Sequence, residues 1–160
     1  MVMTMEIVGK ERLQKQKYRL RTILTLQNRI EQITSELSGP GGMKYSDMPR
    51  SQNVFDKVGV LVQEKISKEK ELNKILPKFN TEGAAINQAL LKLSEMQQPA
   101  RGPLLSQYCD LLRYYYLEDK SWDSIMVSFG FEKDDDTKLR LIHRWHGKAL
   151  NLLKKAQKSK

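Results

Sequence analysis

The stretch Tyr114–Leu153 reads YYYLEDKSWDSIMVSFGFEKDDDTKLRLIHRWHGKALNLL and predicts two helices joined by a tight turn. Ser121 is a residue type that caps helix N-termini, and Ile125 and Phe129 follow it with the four-residue spacing of one helical face. Gly130 then supplies the turn, because glycine enters the left-handed backbone region freely. The stretch therefore predicts the centre of a helix-turn-helix.

The last helix combines one apolar face with a basic surface. Its apolar residues recur at three- and four-residue spacing and are Leu139, Ile142, Trp145, Ala149, Leu150 and Leu153. This pattern predicts a helix that buries a single stripe. A second helix that is rich in Lys, Arg and His fits the recognition helix of such a motif.

The positive charge of the chain is concentrated at its C-terminal end. The formal net charge is +9, and no acidic residue follows Asp136. Eight of the 28 basic residues lie beyond it, so the remaining 20 nearly balance the 19 acidic residues. A localised positive field is typical of a phosphate-binding surface. A solubilising tail is the alternative for residues 154–160, but Arg140 and Arg144 lie inside the helical pattern and favour nucleic acid.

Composition favours elongated helices over a thick core. The chain has 160 residues, of which 39% are hydrophobic and 29% charged. Cys109 is the single cysteine, which excludes an intrachain disulfide and a cysteine-built zinc site. The sequence has no run long enough to span a membrane and no signal-peptide core, so we expect a cytoplasmic protein.

The N-terminal part predicts two long helices. The first runs from about Glu6 to Leu37, and a second starts near Gln52, beyond the loop sequence SGPGG. Pro77 is expected to kink or end the second helix, with a restart at Asn80. Two long helices across a tight loop predict an antiparallel hairpin. Its narrow apolar stripe is typical of a coiled coil, so we expect self-association, most simply as a dimer.

The expected fold class is therefore all-α, with a long N-terminal antiparallel helical hairpin (coiled coil) and a C-terminal three-helix helix-turn-helix domain. Residues 1–98 are the expected self-association region, 99–103 (PARGP) a linker, and 104–160 the DNA-binding domain. The first helix of that domain is expected over 104–117, where its apolar residues cover the two helices that follow.

Three segments resemble known families. LLRYYYLEDKSWDSIMVSFGF, residues 111–131, is similar to the start of the promoter-reading C-terminal domain of bacterial sigma factors. IHRWHGKALNLLKK, residues 142–155, resembles the end of small phage late-gene transcriptional activators of the RinA and ArpU type. The loop sequence YSDMPR, residues 45–50, between two charged helices also resembles that family.

The resemblance implies a phage or prophage DNA-binding transcription regulator in the cytoplasm of a bacterial host, acting on late or packaging genes as an activator. Recruitment of RNA polymerase is implied by the resemblance alone. The chain departs from the family at Met126, where a small residue is usual. It also departs in the loop 132–136, which is longer, more acidic, and expected to repel phosphates near the recognition helix.

Two sets of residues are expected to contact DNA. The recognition-helix set is Thr137, Lys138, Arg140, His143, Arg144 and Lys148. The set expected at the DNA backbone is Ser121, Trp122, His146, Lys154 and Lys155. Arginine can read guanine through two hydrogen bonds, whereas lysine mainly neutralises phosphate. A solvated charged face is the alternative for these positions.

No other chemistry is predicted from the sequence. His143 and His146 have a spacing compatible with two metal ligands, but no carboxylate or thiol nearby completes a set, so we expect no metal and no cofactor. No nucleophile with a base, phosphate loop or carboxylate pair is recognisable, so we expect no enzyme. Two alternatives stay open, a small terminase subunit that assembles as a ring and a protein-binding phage adaptor or inhibitor.

Overall fold

The computed structural model describes residues 7–38 and 51–158, and every regular element in these two segments is a helix. The helices are α1 (Lys10–Ser38), α2 (Ser51–Ser94), α3 (Leu105–Leu112), α4 (Trp122–Ser128) and α5 (Asp136–Lys158). α3 continues directly into a π-helical turn, Arg113–Leu117. The all-α expectation is confirmed. The motif YSDMPR lies outside the described residues.

α2 runs for 44 residues and does not end at Pro77, so the expected restart at Asn80 is wrong. A proline inside a helix removes one backbone hydrogen bond and crowds the preceding turn. Pro77 is exposed, Leu76 and Phe79 beside it are half-buried, and α2 stays helical through all three positions.

The helices form two compact units. One contains Met1–Leu20 and Phe79–Lys160, and the other contains Arg21–Lys78. Both long helices therefore contribute to both units. The division expected from the sequence, with a linker at 99–103, stays a prediction about which segments fold independently.

The first unit has a core assembled from segments that are far apart in sequence. Its larger cluster of buried side chains consists of Val8, Leu13, Ile86, Ala89, Leu90, Leu93, Leu105, Tyr108, Cys109, Leu112, Tyr116, Ala149, Leu153 and Ala156. A smaller cluster joins α3, α4 and α5 through Leu111, Ile125, Met126 and Ile142. Met126, at the position where the resembled family usually has a small residue, is fully buried, and its side chain is part of this smaller cluster.

Hydrogen bonds fasten the N-terminal segment to this core. The side-chain amide of Gln157 accepts from the Val8 backbone N–H at 2.7 Å and donates to the Val8 carbonyl at 2.8 Å. Arg12 donates to Glu82 through Nε at 2.9 Å. Gln16, only 1% exposed, donates to the carbonyl of Phe79. The start of α1 is therefore an integral part of the unit that contains α3–α5.

The second unit is held by fewer buried side chains. Ile23, Leu26 and Ile33 of α1 form its buried apolar residues among those described. Arg29 and Glu64 form a bidentate ion pair, with Nε–Oε1 and Nη2–Oε2 distances of 2.8 and 2.7 Å. This arginine lowers the pKa of the Glu64 carboxyl.

Replacing Leu13 with Ala should destabilise the first unit, although Leu13 lies more than 90 residues before α3. Leu13 is 1% exposed, and a buried Leu→Ala change costs about 2–5 kcal/mol. Urea unfolding followed by the fluorescence of Trp122 and Trp145 measures this change. Leu24→Ala is the matched control, because Leu24 is 46% exposed on the same helix. Equal losses in both variants would contradict the shared core.

Candidate nucleic-acid interface

α4 and α5 are joined by a compact connection whose geometry follows from its residue types. The Ser121 hydroxyl accepts from the Ser124 backbone N–H at 3.2 Å and so caps α4, as its residue type predicts. Gly130 adopts φ +83°, the left-handed conformation expected of the turn. The Phe131 N–H then donates to the Met126 carbonyl at 2.9 Å, which closes the end of α4.

The acidic loop supplies the N-cap of α5. Asp135 Oδ1 accepts from the backbone N–H groups of Thr137 and Lys138 at 3.1 and 3.2 Å. Asp136 lies in the first turn, where a negative charge favours the helix dipole. Part of the loop's acidity is thus explained by the start of the helix it precedes.

One side of α5 is buried and the opposite side is basic. Ile142, Ala149 and Leu153 are fully buried. The exposed side carries Thr137, Arg140, Arg144, Lys148 and Lys155. The three residues Arg140, Arg144 and Lys148 are spaced by four, so their side chains project from one face. We call the five exposed residues the basic face.

The structure separates three predicted contacts from the basic face. Lys138 is half-buried with Nζ 5.2 Å from the Phe131 ring centroid. His146 is half-buried, and its Nε2 is 2.8 Å from the Tyr116 hydroxyl. His143 is exposed but lies beside Trp122, with 4.5 Å between ring centroids.

The remaining predicted backbone contacts lie around α4 and the end of α5. Ser121 is exposed and Trp122 half-buried, at the N-terminal end of α4. Lys154 is exposed, and a Cβ added to Gly9 would lie 3.6 Å from its Cε. Lys154 therefore flanks the N-terminal segment, whereas Lys155 belongs to the basic face.

Lys17 and Asp119 lie near this site, although the charge pattern of the first helix favours a solvated face for its basic residues, Lys17 included. Lys17 Nζ is 3.5 Å from Asp119 Oδ1 and 3.2 Å from the Tyr115 ring centroid. A signal was present in the sequence, because Lys17 follows Leu13 by four residues, as expected for the apolar face of α1. A lysine on an apolar stripe needs a buried partner, and only the fold could identify it.

His146, which is hydrogen-bonded to Tyr116, is held neutral. Burial lowers the pKa of His146 to about 4, and the nearby basic residues Lys10, His143 and Lys17 act in the same direction. Burial also raises the pKa of Tyr116, whose hydroxyl bonds to the imidazole. At neutral pH both side chains are uncharged and hydrogen-bonded to each other, in a region that is otherwise basic.

Other reactive groups do not gather here. Among the described residues, no three His, Cys, Asp or Glu side chains are grouped so that they could hold a metal ion. Cys109 is buried, and burial raises the pKa of its thiol. No helix within the described segments is long and apolar enough to cross a membrane.

No protein-family model, curated protein or solved structure matches this chain. The resemblances noted in the sequence therefore stay expectations, and the geometry of α4 and α5 carries the functional argument.

Acidification should destabilise the first unit between about pH 6.5 and about pH 4. An unfolded histidine takes up a proton near pH 6.5, whereas folded His146 resists protonation until about pH 4, so proton uptake favours unfolding in this window. Thermal unfolding across pH 4–7 measures the effect. His146→Gln should flatten the profile, whereas His143→Gln should keep most of it, because burial and not His143 is the largest cause of the lowered pKa of His146. An unchanged profile in His146→Gln would contradict this assignment.

Proposed function

We propose that this protein is a double-stranded DNA-binding transcription regulator of a phage or prophage, in which α5 enters the major groove. The observation that carries the proposal is the basic face, opposite a fully buried stripe and on the helix after a capped helix and a Gly turn. This arrangement fits a helix-turn-helix, in which the second helix reads base edges.

The residues of the basic face suit two kinds of contact. Arg140 and Arg144 can each donate two parallel hydrogen bonds to a guanine in the major groove. Lys148 and Lys155 suit phosphates, because an ammonium group is a compact point charge. The exposed Ser121, at the start of α4, is where the first helix of such a motif approaches the DNA backbone.

The N-terminal end of α5 suits this contact less well than its middle. The neighbouring carboxylates Asp134 and Asp136 are exposed and would repel phosphates. We therefore place the centre of the contact at 140–148, with Thr137 at its edge. Lys138, half-buried over Phe131, contributes charge more than direct contact.

The finer architecture that we propose is a helical hairpin joined to a helix-turn-helix. Antiparallel pairing of α1 and α2 is supported in the first unit by the contacts of Arg12 with Glu82 and of Gln16 with Phe79. From the first contact to the second, the residue number rises along α1 and falls along α2, as it does between antiparallel helices. Late-gene activation and an RNA polymerase partner rest on the family resemblance alone.

Arg140→Ala and Arg144→Ala should each weaken binding to a preferred duplex by about 1–3 kcal/mol, because a bidentate base contact is lost. The measurement is fluorescence anisotropy with a labelled duplex selected from a random library, compared with unselected duplex at several salt concentrations.

Lys148→Ala should reduce the slope of log K against log salt by about 0.9, since one phosphate contact is removed.

Arg101→Ala is the charge-matched control, because Arg101 is exposed in the connection between α2 and α3. Weak binding of selected and unselected duplexes that disappears at physiological salt would contradict the proposal. So would equal effects of Arg101→Ala and Arg140→Ala. Either result would favour the adaptor hypothesis.

We also propose self-association through the second unit, where α2 is incompletely covered. Over residues 57–78, α2 contributes no fully buried side chain, and Val60, Val62 and Ile66 are 67%, 40% and 41% exposed. Two helices that leave apolar side chains exposed can bury them against a second copy. A dimer would place two α5 helices on successive DNA half-sites.

Ile66→Lys should shift the protein toward monomer, because a charge at an apolar contact opposes its burial. Sedimentation equilibrium measures the mass, and Ser67→Lys, at an exposed polar position, is the control. A wild-type monomer would contradict self-association. A large closed ring would instead favour the terminase alternative.

A further inference from the structure

The ring of Tyr115 is covered on both faces. Lys17 Nζ lies 3.2 Å from its centroid, and the Trp122 ring stacks on it with 4.4 Å between centroids and an interplanar angle of 23°. An ammonium group and an indole cannot occupy the same face at these distances. Tyr115 therefore lies between a residue of α1 and the first residue of α4.

Lys17 is held in contact with the Tyr115 ring by burial and by an ion pair. The residue is 8% exposed, and its ammonium group lies 3.5 Å from the carboxylate of Asp119. Asp119 adopts φ +52°, a left-handed conformation that non-glycine residues seldom use. It lies in the connection between the π-helical turn and α4, so Lys17 contacts this connection and the ring beside it.

The contacts continue from Trp122 to α5. The indole meets His143 edge-on at 4.5 Å and His146 at 5.5 Å, with interplanar angles of 63° and 82°. A continuous series of contacts thus runs from Lys17 through Tyr115 and Trp122 to His143. A cation over an aromatic ring is held more strongly when it is desolvated, as Lys17 is.

We propose that Lys17 is a positioning residue, which sets the placement of Trp122 and His143 beside the basic face without contacting DNA itself. The inference rests on the proposed function and deepens it, because it makes the start of α1 part of the DNA-reading unit. A lysine that only solubilised α1 would be exposed, as Lys15 is.

The test is Lys17→Met, which keeps a long flexible side chain and removes the charge. The indole N–H resonance of Trp122 should shift in the ¹H–¹⁵N spectrum, whereas that of Trp145 should stay close to its wild-type position. Affinity for the selected duplex should fall roughly fivefold, in the range of coupling through packed side chains. The slope of log K against log salt should stay unchanged, because Lys17 contacts no phosphate.

Two variants separate positioning from general destabilisation. Lys17→Arg keeps a cation for Tyr115 and Asp119, and should restore both the Trp122 resonance and the affinity. Lys15→Met removes a charge from the exposed surface of the same helix and should change neither. If Lys17→Met does not fold, Asp119→Asn decides, since asparagine tolerates positive φ but loses the ion pair. It should shift the Trp122 resonance and weaken binding.

Each contrary outcome has a distinct meaning. Wild-type affinity in folded Lys17→Met, or in Asp119→Asn if that variant is needed, overturns the inference. When Arg140→Ala still weakens binding, the proposed function survives that result. An unmoved Trp122 resonance also overturns the inference. Absence of site-preferring binding by the wild-type chain overturns the proposed function, and the inference with it.

Discussion

The burial of one narrow stripe on α5 is the constraint on which the first unit depends. Ile142 packs in the smaller cluster with α3 and α4, whereas Ala149 and Leu153 pack in the larger cluster with α1 and α2. A single helix therefore joins two groups of neighbours. Because this stripe takes up one side of the helix, Arg140, Arg144, Lys148 and Lys155 lie on the opposite side. Folding and the exposure of the basic face are two consequences of the same packing.

Two basic side chains in the interior of the first unit are stabilised in different ways, one by an ion pair and the other by staying uncharged. Lys17 keeps its place in the interior beside a carboxylate and an aromatic face. His146 is instead kept neutral, hydrogen-bonded to Tyr116. Placing both within one aromatic cluster limits the positive charge that the interior must hold. The excess positive charge is left at the surface of α5, where solvent or a polyanion can compensate it.

Local signals were sufficient where the neighbouring sequence determines the structure. Ser121 caps α4 and Gly130 turns the chain because both effects operate within a few residues. Pro77 shows the limit of such signals. A proline inside a helix costs stability locally, yet α2 continues unbroken from Ser51 to Ser94. For the site, the exposure of Arg140 and Arg144 followed from periodicity, whereas the half-buried state of Lys138 and His146 depended on Phe131 and Tyr116.

The sequence by itself determined the helical class, the N-terminal cap of α4 and the turn after it, and the exposure of Arg140 and Arg144, whereas the first helix begins at Lys10 and not near Glu6. These properties follow from spacing, capping and composition, which act over one or two helical turns. Only the tertiary structure decided that Val8 and Leu13 share a core with α5, and that Lys17 lies against Tyr115. Such contacts join residues about 100 or more positions apart. Apolar side chains of similar size can replace one another in a core, so their identity in the sequence does not specify which partner they contact.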